Sequence, residues 1–331
     1  MAYLGELISI GVAFSWTATA LLSEFGSKRL GNLTLNVLRM TFALLFSMVL
    51  FGVVTGEPLP TIGASAEACG WMLLSGLVGY VIGDFCLFQC YIIIGSRYGQ
   101  LFMTLAPLAA ALMAWVSLGQ QMTMMSIVAM LVTLLGIGIS VIGRASPQPS
   151  PKGEEGAAHR SSHSVLRGLG GGLSLKLPLN GVLYAIGAAV CQGVGLVLSK
   201  IGMDHYEAVA DMPEWLVPFS ANFYRCIAGF IGFLLLLYFR DGMAPLREAM
   251  HDRKGLTVAT ATTIFGPFVG VGFSLMAVQY TAAGIASTLM AMTPIIILLP
   301  SYWLFHERIT WRAVVGAFIS VIGVSLFFCG E

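Results

Sequence analysis

Apolar runs of about 20 residues, the length that crosses a bilayer core, follow one another along the chain with few polar residues between them. Ten are distinguishable: 4–25, 32–54, 70–94, 98–118, 123–143, 179–201, 216–239, 256–280, 283–304 and 311–329. They predict an all-α polytopic membrane protein. The rhythm breaks once, over 144–178, "RASPQPSPKGEEGAAHRSSHSVLRGLGGGLSLKLP". This stretch is rich in Ser, Pro and Gly, carries charge of both signs and reads as a linker. It divides the chain into 1–143 and 179–331, with five segments on each side.

The two halves look like copies. Setting "LAPLAAALMAWVSLGQQMT" (105–123) against "MTPIIILLPSYWLFHERIT" (292–310) puts Pro107 on Pro294 and Thr123 on Thr310. The same register brings Gly79 onto Gly266, Gly83 onto Gly270 and Gly136 onto Gly323. With one residue of slippage, Asn36 and Arg39 meet Asn222 and Arg225. Each half has an odd number of spans, so the copies are expected upside down to one another, the inverted-repeat plan of many transporters.

A proline in a helix interior removes one hydrogen bond at roughly 3 kcal/mol, and irregular backbone at membrane depth is tolerated where it is buried in protein or lines a wet cavity. Pro107 cannot donate to the Met103 carbonyl, nor Pro294 to that of Met290. The expectation is a mid-membrane cavity lined by segments 3, 4, 8 and 9, which carry Asp84, Pro107, Pro267 and Pro294. The paired kinks would flank it, with the freed carbonyls facing its water or its solute.

The helix 2 and helix 7 arginines, the prolines of segments 4 and 9, the glycines of segments 5 and 10, and the turn "FHERIT" (305–310) together resemble the EamA domains of the drug/metabolite transporter superfamily. The likeness covers nearly the whole chain apart from the linker, one EamA-like repeat per half. It implies ten helices around a central cavity and transport or export of small metabolites without ATP hydrolysis. One departure is the first-half turn "LGQQMT", where Gln120 stands in place of the family's usual Glu.

Composition agrees with a membrane protein: 57% hydrophobic residues, 10% charged, mean hydropathy +0.86, against about 25% charged in soluble domains. A formal net charge of +1 gives no reason to expect nucleic-acid binding. Charge placement adds an orientation. Apart from the intramembrane Arg39 and Arg225, cations such as Lys28, Arg29, Arg97, Arg240, Arg253, Lys254 and Arg312 follow odd-numbered segments. Only Lys200 lies on the other side. The positive-inside rule then makes the linker cytoplasmic and puts both termini outside the cytoplasm, whereas the family resemblance implies both termini inside. No basic stretch precedes the first apolar run, so a cleaved signal peptide is not expected.

Candidate chemistry is sparse. Asp84 is read as the acid deep in a span, a costly placement that marks a functional candidate. It is a candidate proton-coupling acid, or an ion-pair partner of Arg39, which lies at a compatible depth on an antiparallel helix. Arg225 repeats Arg39, but Val271 stands where Asp84 would be repeated. A guanidinium is a bidentate clamp for carboxylate or phosphate, so Arg225 is a candidate substrate residue; snorkelling is the alternative. Trp16, Tyr80, Gln89, Gln192 and Gln279 are further candidates for the solute site, with Tyr91, Tyr280 and Trp303 as aromatics of the cavity or the interfacial belts. His306 and Glu307 read as a solvated turn or cap. Cys86 and Cys90, spaced i,i+4, are buried small hydrophobes or a redox pair. "HRSSH" (159–163) has two histidines but no third ligand close by. No cofactor or metal is called for.

The chain carries no HExxH, GxSxG or P-loop motif, so an enzyme is not expected. The reading is a secondary transporter of small organic metabolites in the plasma membrane, a monomer or homodimer whose partners are its solute and the bilayer. A lipid-intermediate flippase or a passive metabolite channel is the alternative.

Overall fold

A computed structural model describes residues 4–60, 65–118, 124–141, 177–207, 214–280, 289–305 and 309–328. The 144–176 part of the linker, with its "HRSSH", lies outside the described residues, as do His306 and Glu307. Everything regular among the described residues is helical. Among the described residues, six helices are long and apolar enough to cross a membrane, and three shorter apolar ones accompany them.

The first half opens with α1 (Leu4–Leu30) and α2 (Asn32–Thr55). Only Gly31 separates them, at φ 83° and ψ 154°, a conformation open essentially to glycine alone. Next comes α3 (Ala66–Ile94), capped by the Ser65 hydroxyl, which accepts from the Ala68 N–H. Gly95, with φ 86°, turns the chain directly into α4 (Ser96–Met103), and α5 (Ala106–Leu118) and α6 (Met124–Val141) complete the half. The second half runs α7 (Leu179–Glu207), α8 (Val217–Arg240), a surface helix α9 (Ala244–His251), α10 (Arg253–Thr263) and α11 (Val269–Tyr280). It ends with α12 (Thr293–Ile296), α13 (Leu298–Phe305) and α14 (Trp311–Phe328).

Segments 4 and 9, expected as single kinked helices, are each broken in two. The first breaks at Thr104 and Leu105, whose N–H groups bond three residues back, to Leu101 and Phe102. Pro107 then sits in the first turn of α5, where its missing N–H is harmless. In segment 9 the breaks fall on either side of α12. Pro294 opens the short helix, and Pro300, which carried no weight in the sequence reading, explains the second break at Ile297. Pro267 causes no break. It lies in a π-helical turn, Ile264–Phe268, that carries α10 into α11. A matching π-helical stretch, Leu77–Asp84, occupies the corresponding register of α3 with no proline in it.

The repeats interleave rather than standing side by side. Helix α1 packs on α10, α11 and α12 of the second half, and α7 packs on α3, α4 and α5 of the first. Helix α2 meets α8, and α6 meets α14. The pairs α3–α8 and α10–α2 close the same exchange. Large apolar side chains such as Leu7, Phe14, Val53, Leu131 and Phe318 face outward, as a bilayer requires.

Small residues make the crossings close. A Cβ on Gly76 would fall on the backbone of Arg225; in the same register, the Thr263 hydroxyl donates to the Arg39 carbonyl at 3.4 Å. A Cβ on Gly136 would strike Ser320, and one on Gly323 would strike Thr133. These are the repeat-equivalent positions with partners exchanged. Contacts in which i meets j′ and j meets i′ identify a two-fold relation. With an odd number of spans per half, its axis lies in the membrane plane.

Candidate functional site

Two arginines mark the centre. Arg39 and Arg225 are 3% and 6% exposed, each deep in the pair of helices that straddles the two-fold. Each guanidinium lies against a glycine of the opposite half. A Cβ on Gly266 would stand 3.3 Å from Arg39 Nη2, and one on Gly79 would stand 3.2 Å from Arg225 Nη2. The exchange continues outward. A Cβ on Gly270 would stand 3.0 Å from the Trp16 ring, and one on Gly83 would stand 3.3 Å from Gln192 Nε2. The sequence-predicted Tyr80, Asp84, Gln192 and Arg225 are thus brought into one region by the packing of the halves, while Trp16 packs at Gly270 beside Val12, Ala277 and Met290.

Around Arg39 one terminal nitrogen is well matched, although its buried Nε has no partner. Its Nη1 donates to Asn36 Oδ1 at 2.7 Å and to Asp84 Oδ2 at 3.1 Å. Its Cζ lies 4.4 Å from the Phe88 ring centre. The other oxygen of Asp84, Oδ1, accepts from Gln192 Nε2 at 2.8 Å, and the same amide nitrogen donates to the Gly79 carbonyl at 3.2 Å. The Asn36 amide nitrogen donates to Asn32 Oδ1 at 2.8 Å, and Asn32 Nδ2 in turn donates to the Phe85 carbonyl at 2.8 Å. Gln89 stands at the edge, with Oε1 3.5 Å from Asn32 Nδ2. The ion pair foreseen between Asp84 and Arg39 is therefore present, and it is wired to the second half through Gln192.

Around Arg225 the matching fails. Asn222, the equivalent of Asn36, is turned elsewhere. Its Oδ1 accepts from the Tyr80 hydroxyl, and its Nδ2 donates to the Pro267 carbonyl at 2.6 Å. Among the described residues no acceptor reaches the Arg225 guanidinium; its buried Nε is unpartnered, as is that of Arg39, but Arg225 has no counterpart of the Nη1 bonds that Arg39 makes. The Tyr80 ring, 4.8 Å from Cζ, is its main neighbour.

Other expected residues are placed as follows. Tyr91 is buried and accepts from Gln100 Nε2 at 2.6 Å. Trp303 is exposed, a position suited to the lipid interface. Gln279 and Tyr280 end α11, and their side chains lie outside the described residues. Cys86 and Cys90 are free thiols. The Met290 carbonyl freed by Pro294 accepts from the Thr293 hydroxyl at 2.8 Å, so it is not left bare.

One buried acid escaped the sequence reading, which placed only Asp84 deep in a span. Glu24 is 2% exposed. Its Oε2 accepts from the Ser96 N–H at the start of α4, and its Oε1 accepts from Lys28 Nζ, both at 2.6 Å. Lys28 also stands 5.4 Å from the Phe305 ring centre. These contacts tie together the ends of α1, α4 and α13 on one face. Glu24 lies one turn before Lys28, where a helix-end charge pair is the ordinary reading, so its burial had no signal in the pattern.

A family model described as EamA-like transporter family matches residues 3–142 and 179–329. Three curated relatives, each named uncharacterized inner membrane transporter YhbE, come from Escherichia coli strain K12, Escherichia coli O157:H7 and Shigella flexneri. Each is 27% identical over 149 residues, which is 45% of this chain and 42% of the relative, so the match spans less than half their length. One solved crystal structure superposes with a TM-score of 0.57 at 15% identity, covering 97% of this chain and 95% of the other, which shows a shared fold.

Proposed function

Since the chain belongs to the EamA-like transporter family, a family of multi-pass plasma-membrane proteins, we propose that it is a secondary transporter moving small organic metabolites by alternating access, without ATP hydrolysis. The observation that carries this reading is the reciprocal packing at the centre, Arg39 on Gly266 and Arg225 on Gly79. Two halves with one fold, related by an axis in the membrane plane, have two packings of similar energy. Exchanging the conformations of the halves turns one into the other and presents the centre to the opposite side.

The solute region is assigned to Trp16, Tyr80, Gln192 and Arg225, with Gln89 and Gln279 at its ends. Asp84, held by Arg39 and Gln192, is the candidate proton-coupling acid. The broken helices at Pro107 and Pro294 and the π-helical turn at Pro267 supply the irregular backbone around it. Reconstitution into proteoliposomes tests the reading against a panel of amino acids, organic cations and sugar phosphates. The expected result is saturable uptake of one class, accelerated by the same solute on the far side. Uptake that never saturates and shows no such acceleration points instead to a channel, and movement of labelled lipid alone points to a flippase.

A further inference from the structure

The two-fold relation gives each central arginine an internal control. Arg39 has a carboxylate, an amide oxygen and a ring; Arg225 has the ring alone. The missing amide is accounted for, because Asn222 is committed to Tyr80 and to the Pro267 carbonyl. The missing carboxylate is accounted for as well, because Val271 occupies the equivalent of Asp84. Asp84 itself has both oxygens engaged elsewhere. One carboxylate therefore serves two buried guanidiniums, and one positive charge is left without a counter-ion. An uncompensated buried charge costs several kcal/mol, and an anion arriving at Arg225 removes that cost.

We propose that Arg225 is the clamp for a monoanionic carboxylate on the transported solute. The proposal rests on the transport reading for its role and on the charge balance for its chemistry. A guanidinium presents parallel N–H groups that match the two oxygens of a carboxylate. The Tyr80 ring centre lies 4.8 Å from the Arg225 Cζ. Gly79 puts no side chain beside the guanidinium, and a Cβ there would press on Nη2 at 3.2 Å. A single uncompensated charge suits a monoanion better than a dianion, so a phosphate monoester is the poorer match.

The test uses the purified full chain in detergent, in a buffer without carboxylates. Monocarboxylates graded from acetate to phenylacetate are compared with their amides and with inorganic phosphate by thermal unfolding. At least one carboxylate is expected to stabilise the wild type while its amide does not. Arg225→Gln should abolish the shift, and Arg225→Lys should weaken binding about ten-fold, or roughly 1.4 kcal/mol. Val271→Asp is the second variant. It supplies the counter-ion that the repeat lacks, so it should fold and yet no longer respond to carboxylate. The proposal is overturned if the carboxylate shift survives in both Arg225→Gln and Val271→Asp, if no carboxylate outperforms its amide, or if phosphate alone acts through Arg225. Carboxylate binding without any counterflow in proteoliposomes would leave the site standing and sink the transport reading. Counterflow of a solute without a carboxylate would do the reverse.

Discussion

At the scale of single residues, the Arg39–Asp84 pair is the tightest test of the central network. Both members are buried, so removing one strands the other. Arg39→Met is expected to lower stability by about 3–5 kcal/mol, measured by denaturant or thermal unfolding in detergent. Replacing both, Arg39→Met with Asp84→Leu, should recover most of that loss. Asp84→Asn should be milder, because Arg39 keeps Asn36 and Phe88. If Asp84 also carries the coupled proton, Asp84→Asn stops gradient-driven uptake and leaves solute exchange running; driven uptake at the wild-type rate removes it from the mechanism. This pair was legible in the sequence, since two charges at similar depth on antiparallel helices have few other partners. The asymmetry at Arg225 was half legible. Val271 could be read off the alignment, but Asn36 and Asn222 look equivalent as letters, and only the packing decides where an amide turns.

At the scale of elements, the informative features are irregular helices. Pro107, Pro294 and Pro267 announced them, because a missing N–H is visible in any sequence. The π-helical stretch at Leu77–Asp84 was not announced: Tyr80 stands where Pro267 stands, and nothing local demands an extra residue per turn. Such turns recur at functional sites, and both here border the arginines. The junction of α1 and α4 invites a separate experiment. Glu24 holds the Ser96 N–H and Lys28, while its repeat partner on α7, in the alignment that sets Trp16 on Gln192, is the exposed Lys200. The two faces are therefore built unequally. Glu24→Gln should loosen this face and speed maleimide labelling of the fully buried Cys90 several-fold, in a background with the other cysteines replaced by alanine. An unchanged rate would reduce Glu24 to a local cap.

At the scale of the whole molecule, pairs of residues far apart in sequence verify the threading. Arg29 meets Asp252, and Lys28 meets Phe305, on the face where odd-numbered segments end. Glu67 meets His205, at 3.4 Å, on the opposite face. Among the described residues, Lys28 and Arg29 lie on the first of these faces, the one to which the positive-inside rule assigns the cytoplasm. A reporter at Glu331 is expected to be active outside the cytoplasm and silent within it, with a reporter in the linker doing the opposite; the converse pair of results would invert the molecule. Interleaving, finally, has a consequence for how the chain is made. Helix α1 leaves the ribosome long before α10, α11 and α12 exist. At about 5–20 residues per second, the wait from the end of α1 to the end of α12 is roughly 13–53 s. During it, Arg39 can already reach Asp84, since both belong to the first half, but the faces of α1 destined for the second half meet only lipid or the insertion machinery. The nascent first half is thus a docking platform with an empty berth. Severing the chain between the halves should be survivable only when both pieces are synthesised in the same membrane at the same time.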